Sequence, residues 1–283
     1  MNIFEETRMI MKKYGITANK SLGQNFLIDD NVVNEIIDSA EINNEDLVIE
    51  IGPGLGTLTS ELLEKAGKVI AIELDDRMLK ILQDRFYLYE KFILIHEDVL
   101  KVDLKKLIKE QIGELKKVKI VANLPYYITT PIIMKLLEEE LSIDSITVMV
   151  QKEVADRITA IPGEKVSGSI TYSVYYYAVP FEVAFVPKES FIPSPEVDSE
   201  VIRLEIRKEP AVAVKSKETF FKLIKTSFMQ RRKTLLNGIC NGKIVNTKEE
   251  GKKLLAILGL TENVRGENLT IEQFAELANL LEK

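Results

Sequence analysis

Hydrophobic positions in the first half of the chain gather into five short runs: LVIEIG at 47–52, KVIAIE at 68–73, FILIHED at 92–98, VKIVANL at 118–124 and SITVMVQ at 145–151. Each run is rich in β-branched residues, is too short for a helix, and is separated from the next by apolar residues at helical spacing. Strands alternating with helices in this way predict an α/β fold with a mostly parallel sheet covered on both faces.

After residue 165 the pattern changes. SITYSVYYYAV at 169–179 keeps a β-branched and aromatic character. FEVAFVP at 181–187 and VDSEVIRLEI at 197–206 lie close enough to pair as antiparallel strands, so the sheet is expected to end in a hairpin rather than another crossover. Between them, FIPSPEVDS at 191–199 carries Pro193 and Pro195, which predict an exposed, stiff loop. Beyond about Pro210 the strand signals vanish. KETFFKLIKTSFMQRRKTLLNGI at 217–239, GKKLLAILGL at 251–260 and IEQFAELANLLEK at 271–283 read as amphipathic helices divided by Gly and Asn. The expected organisation is an α/β domain at 1–208 that includes an N-terminal basic segment, followed by a small all-helical domain at 209–283.

With 283 residues and 46% hydrophobic content the chain can bury a substantial core, which excludes disorder as its main state. The net charge of −6 excludes a uniformly basic nucleic-acid coat, but the charge is unevenly placed. Residues 7–28 carry +4 and residues 215–233 carry +6, so the remainder carries −16. Such stretches fit either a polyanion bound at one place or a solvated charged face. Within the second stretch, Lys222 and Lys225 share a helix face by their three-residue spacing, whereas consecutive Arg231, Arg232 and Lys233 cannot all lie on one face.

A single cysteine, Cys240, excludes an intramolecular disulfide, and a single histidine, His96, leaves neither a structural zinc site nor a His-based triad. No metal is expected. The N-terminal residues are acidic where a secretion signal needs a basic region, and no segment approaches 18 uncharged apolar residues, so a soluble cytoplasmic monomer without a membrane partner is expected.

The chemistry-bearing residues cluster at the predicted carboxyl ends of the strands. The first strand runs into Gly52, Gly54 and Gly56, a turn where missing Cβ atoms let backbone approach a ligand; the spacing differs from the dinucleotide fingerprint and suits a ligand without pyrophosphate. Glu73 at the end of the second strand can accept hydrogen bonds from ribose hydroxyls, and Asp98 after the third can accept one from an adenine amino group. Either acid alone would serve equally well as a helix cap; their order at successive strand ends outlines a nucleoside. The fourth strand ends in Asn123-Leu124-Pro125-Tyr126. An aromatic amino nitrogen is a poor nucleophile because its lone pair is delocalised into the ring. An Asn oxygen and a backbone carbonyl, here that of Leu124, can both accept its protons and favour a pyramidal nitrogen, while Tyr126 offers a stacking face for a flipped base. Phe191 is a second candidate stacker if it is exposed in its proline-stiffened loop, or a packing residue if it turns inward.

The order of these strand-end residues resembles class I S-adenosylmethionine-dependent methyltransferases. More specifically, NKSLGQNFL at 19–27, EIGPGLGTLT at 50–59, NLPY, VQKEVADRI at 150–158, FIPSPEVDS, MQRRKTLLN at 229–237 and VRGENLTIEQFAELANLL at 264–281 together resemble the ribosomal RNA adenine dimethyltransferases, the bacterial small-subunit (16S) group most closely. The resemblance implies a Rossmann-like methyltransferase sheet with an appended helical RNA-binding domain. It implies that Asn25 and Leu27 close over the methionine end of S-adenosylmethionine, that Gly52 and Gly54 lie under it, that Glu73 holds its ribose and Asp98 its adenine, and that Asn123 stands at the junction of donor and target. Tyr126 and Phe191 would sandwich the target adenine. The basic run itself makes Lys222, Lys225, Arg231, Arg232 and Lys233 the candidate RNA contacts, with two or three expected to neutralise phosphates and at least one to point away. The implied reaction places two methyl groups on the exocyclic nitrogen of each of two adjacent adenosines in the 3'-terminal hairpin loop of 16S rRNA, within the 30S subunit or its precursor. Macrolide-resistance methylases of the large subunit share several of these elements, but FIPSPEVDS, MQRRKTLLN and the acidic total charge fit the small-subunit group.

Overall fold

The computed structural model describes residues 2–19, 23–230 and 233–282. Two compact units emerge, one made of residues 1–155 and 180–206, the other of residues 156–179 and 207–283. In chain order the elements are α1 (Ile3–Tyr14), β1 (Phe26–Leu27), α2 (Asp30–Ser39), β2 (Asp46–Ile51), α3 (Thr57–Lys65), β3 (Lys68–Glu73), α4 (Asp76–Phe86), β4 (Phe92–His96), α5 (Leu104–Gln111), β5 (Lys117–Asn123), α6 (Thr129–Glu138), β6 (Ser145–Gln151) and α7 (Lys152–Thr159). They continue with α8 (Ser169–Tyr177), β7 (Ala178–Val186), β8 (Phe191–Ile192), β9 (Ser199–Ile206), α9 (Lys217–Phe228), α10 (Leu235–Asn241), α11 (Lys248–Ile257) and α12 (Ile271–Leu281).

In the first unit, seven strands form one sheet in the order β4-β3-β2-β5-β6-β9-β7. The five strands expected from the hydrophobic runs are all present and pair in parallel, Ile49 lying beside both Ile70 and Ile120. Every residue of β2 is buried, as a central parallel strand covered on both faces requires. The antiparallel element enters through β9, whose Ser199–Glu205 segment pairs with β6, and β7 adds the edge beyond it. Because β3 and β5 lie on opposite sides of β2, the chain leaves β2 and β5 in diverging directions, and a crevice opens at their carboxyl ends.

Three local expectations are corrected. Residues 169–177, whose β-branched and aromatic character favours a strand locally, form a helix. Its Tyr172 and Tyr176, one helical turn apart, are buried in the core of the second unit with Phe220, Leu223, Leu255 and Phe274, and this packing overrides the strand preference of the aromatic run. Residues 156–179 therefore belong to the same compact unit as the C-terminal helices, and no single cut near residue 208 separates the two units.

The expected continuous helix over 217–239 is interrupted: α9 ends at Phe228, and α10 starts after Thr234, whose hydroxyl accepts a hydrogen bond from the Asn237 N–H. Lys222, Lys225 and Lys233 are exposed; Arg231 and Arg232 lie outside the described residues.

The segment 191–199 is not wholly irregular. Phe191–Ile192 pairs antiparallel with β1, placing Phe191 opposite Leu27, and Phe191 is only 3% exposed within the apolar core of the first unit. Pairing satisfies the backbone at the two positions before Pro193, so the ring is free to turn inward, and the expected exposed aromatic is absent at this position. Among the described residues no helix is long and apolar enough to cross a membrane.

Candidate active site

The turn after β2 is shaped by left-handed backbone. Gly52, Gly54 and Gly56 have φ of 66°, 57° and 84°, which L side chains rarely adopt. A Cβ on Gly56 would also stand 2.6 Å from the Phe86 ring, so this corner is closed to any larger residue. The turn delivers the chain into α3 and leaves its backbone facing the crevice, where a cavity of about 120 Å³ opens to solvent.

Glu73 closes one side of the cavity. One carboxylate oxygen accepts the N–H groups of Leu74 and Asp75, each at 2.8 Å, and the other accepts the Gly54 N–H at 3.1 Å. Burial raises its pKa against the opposing pull of those three backbone donors. Asp75 ties the same strand end to the N-terminal segment: Gln24 donates to it at 2.7 Å, and Arg77 forms an ion pair with it at 2.5 Å. The Asp98 carboxylate accepts the Leu100 N–H at 3.0 Å, which fixes its loop at the rim.

Beneath the glycine turn, Glu50 is 1% exposed and accepts a hydrogen bond from the Thr59 hydroxyl at 2.6 Å. Burial, reinforced by nearby Glu73, pushes its pKa up to about 8, so it is a neutral acid at pH 7.

The opposite side of the cavity comes from the end of β5. Asn123 donates from Nδ2 to the Asn25 carbonyl at 3.3 Å, which orients its amide and leaves Oδ1 as its acceptor. Leu124 is anchored to β6 through its N–H and the Met149 carbonyl at 3.2 Å. Pro125 then starts a single 3-10 turn over Tyr126–Ile128, in which the half-buried Tyr126 hydroxyl meets the Ser199 hydroxyl at 2.6 Å.

Asn25, Leu27, Gly52, Gly54, Glu73, Asp98, Asn123, Leu124 and Tyr126 all line this one cavity. Phe191 does not line it, and its ring packs in the core behind Leu27. Sequence reasoning passed over Gln24 and Tyr127, which also line the cavity. Gln24 sits between Gly23 and Asn25 in the N-terminal motif, a position that could have flagged it. Tyr127 follows Tyr126 directly and is 53% exposed; only the turn geometry shows that both neighbours face the cavity.

A family model described as "Ribosomal RNA adenine dimethylase" matches residues 15–283. The chain belongs to this family. It is 50% identical over 284 residues to the Ribosomal RNA small subunit methyltransferase A of Bacillus pumilus, covering 98% of this chain and 96% of that protein. The protein of the same name from Alkaliphilus oremlandii is 47% identical over 279 residues, with coverage of 99% and 97%. A solved dimethyladenosine transferase from Plasmodium falciparum superposes with a TM-score of 0.73 at 28% identity, covering 89% of this chain and 95% of that one. The 23S rRNA methyltransferase ErmE, at 24% identity and a TM-score of 0.67, shares the fold over 92% of this chain and the whole of that one.

As a ribosomal RNA adenine dimethylase the chain is a methyltransferase enzyme of the S-adenosylmethionine-dependent class. That class fits the cavity described above, which offers carboxylates and Cβ-free backbone to a nucleoside and one oriented amide oxygen beside them.

Proposed function

We propose that this enzyme dimethylates the exocyclic amino nitrogens of two adjacent adenosines in the 3'-terminal hairpin loop of 16S rRNA, in the 30S subunit or its precursor, as a cytoplasmic monomer. The observation that carries the reading is the placement of Asn123: it lines the cavity, and its Nδ2 is committed to the Asn25 backbone carbonyl, which leaves Oδ1 available as an acceptor.

S-adenosylmethionine, when bound, supplies an electrophilic methyl group. Glu73 would hold its ribose hydroxyls, Asp98 its adenine amino group, and Asn25 with Leu27 its methionine end over Gly52 and Gly54. The protein then has to extract one base, orient its nitrogen and exclude water. Tyr126 offers a face for the flipped adenine. Asn123 Oδ1 and the Leu124 carbonyl would accept hydrogen bonds from the amino N–H groups, which favours localisation of the lone pair on nitrogen toward the methyl carbon. The donor would supply a methyl carbon whose bond to sulfur breaks as the bond to nitrogen forms, leaving a neutral thioether, and the proton shed by the methylated nitrogen would pass to solvent. No covalent enzyme intermediate is needed.

The small-subunit assignment draws on the names of the relatives and on the FIPSPEVDS and MQRRKTLLN motifs. Lys222, Lys225 and Lys233 are proposed to meet the RNA backbone, with Arg231 and Arg232 assigned to the same role from sequence alone. Radiolabelled methyl transfer from S-adenosylmethionine to undermethylated small and large subunits, run side by side, tests the proposal. Label confined to small-subunit RNA and recovered as dimethyladenosine is expected; label in large-subunit RNA alone would overturn it.

A further inference from the structure

Tyr126 is one of two adjacent tyrosines that line the cavity beside Asn123, and a stacking face works only if the plane of its ring is held. Its backbone sits in a single 3-10 turn, which leaves the side-chain torsions to be fixed by packing or by its far end. That far end is fixed. The phenol oxygen lies 2.6 Å from Oγ of Ser199, a wholly buried serine at the first position of β9, opposite Gln151 of β6. The phenol is directed into the protein rather than toward the cavity mouth, and burial raises its pKa, so it stays a neutral hydroxyl.

We propose that Ser199 is a positioning residue for the methyl transfer, acting through the Tyr126 hydroxyl to hold the ring plane against which the target adenine stacks. This rests on the reading of Tyr126 as the stacking residue. It gives the last serine of FIPSPEVDS a purpose, and explains a tyrosine in place of the phenylalanine that stacking alone would accept. Neighbouring bonds make Ser199 a firm anchor: the Asp198 carbonyl accepts the Lys152 N–H at 3.0 Å, and the Asp198 carboxylate accepts the Lys188 N–H at 3.0 Å.

The test is a double-mutant cycle on the full-length enzyme with undermethylated 30S subunits, using Ser199→Ala, Tyr126→Phe, the double variant and Tyr126→Ala, with kcat and KM for subunits, donor Kd by calorimetry, and melting temperature. Each single variant should lower kcat/KM for subunits about threefold to tenfold, the range for one neutral hydrogen bond. Donor Kd should stay unchanged, and the double variant should lose no more than either single one. Losses that multiply in the double variant would show that Ser199 acts independently of Tyr126 and overturn the proposal. Wild-type kinetics in Tyr126→Phe would do so too, and this variant leaves the buried serine intact if Ser199→Ala folds poorly. If Ser199→Ala and Tyr126→Phe both behave as wild type while Tyr126→Ala is impaired, the stacking reading survives and the positioning role falls. A fully active Tyr126→Ala would remove both.

Discussion

On the donor side of the cavity, Glu73 engages both carboxylate oxygens with backbone N–H groups, and Asp75 is gripped by Gln24 and Arg77. On the target side, Asn123 makes one bond through Nδ2 and presents Oδ1, and Tyr126 is tethered at its hydroxyl alone. The donor wall is thus bonded in advance of any ligand, so little reorganisation opposes binding there. On the proposed reading, the target wall holds an acceptor for N–H groups that arrive only with the base, which would concentrate its effect in the reacting complex.

The largest effect expected is on the support of the donor wall. Phe191→Ala empties core volume behind Leu27 and should cost about 3–5 kcal/mol of stability, read by chemical denaturation. A stable variant with weakened subunit binding would instead make Phe191 a base-stacking residue.

Next is Glu50. Its folded pKa near 8 exceeds the ordinary 4.5, so the unfolded chain ionises first. Its contribution to stability is intact below pH 4.5, falls as pH rises toward 8, and then levels off. Glu50→Gln removes that loss, so its stability relative to wild type should rise across the same interval by at most about 5 kcal/mol. A difference that does not vary with pH would mean that Glu50 is already ionised and that the floor of the donor wall is charged.

Asn123→Ala probes the other wall. Turnover should fall roughly 100- to 1,000-fold, as for loss of one oriented polar group at a reacting centre, while subunit affinity changes little. Single-turnover kinetics with saturating donor decide it, and a wild-type rate would erase the distinction between the walls. The smallest effect is Asp98→Ala, which should weaken donor binding by about 1–3 kcal/mol by calorimetry, because the rim loses one acceptor while Glu73 remains bonded in place. Unchanged affinity would move Asp98 out of the donor site.

The parallel strands were legible because β-branched runs alternate with helical spacing, and the glycine turn with Glu73, Asp98 and Asn123 followed from where those strands end. Residues 169–177 were not legible, because Ile170, Thr171, Val174 and the tyrosines favour a strand locally, and only their packing with Phe220 and Phe274 makes the segment a helix. The break after Phe228 hides for a related reason: Thr234 is a capping residue inside a basic run that otherwise reads as one helix. Phe191 was misplaced because two prolines announce a loop but give no sign of the two-residue partner at Phe26–Leu27, far away in the chain. Gln24 acts through Asp75, a partner 51 positions on, and pattern cannot show such a contact.

That short pairing also governs when the cavity can be completed. Phe26–Leu27 is held by Phe191–Ile192, and next to it Ser190 donates its hydroxyl to Asp29 across 161 positions of chain. Contacts of such separation form only after a long loop has closed, and loop closure is slow to be rewarded. A growing chain can assemble the sheet from β2 to β6 before residue 190 is made, but the segment carrying Asn25 and Leu27 gains its strand partner only afterwards. A fragment ending before Phe191 would therefore contain all five parallel strands but lack the strand partner of the segment that carries Asn25 and Leu27.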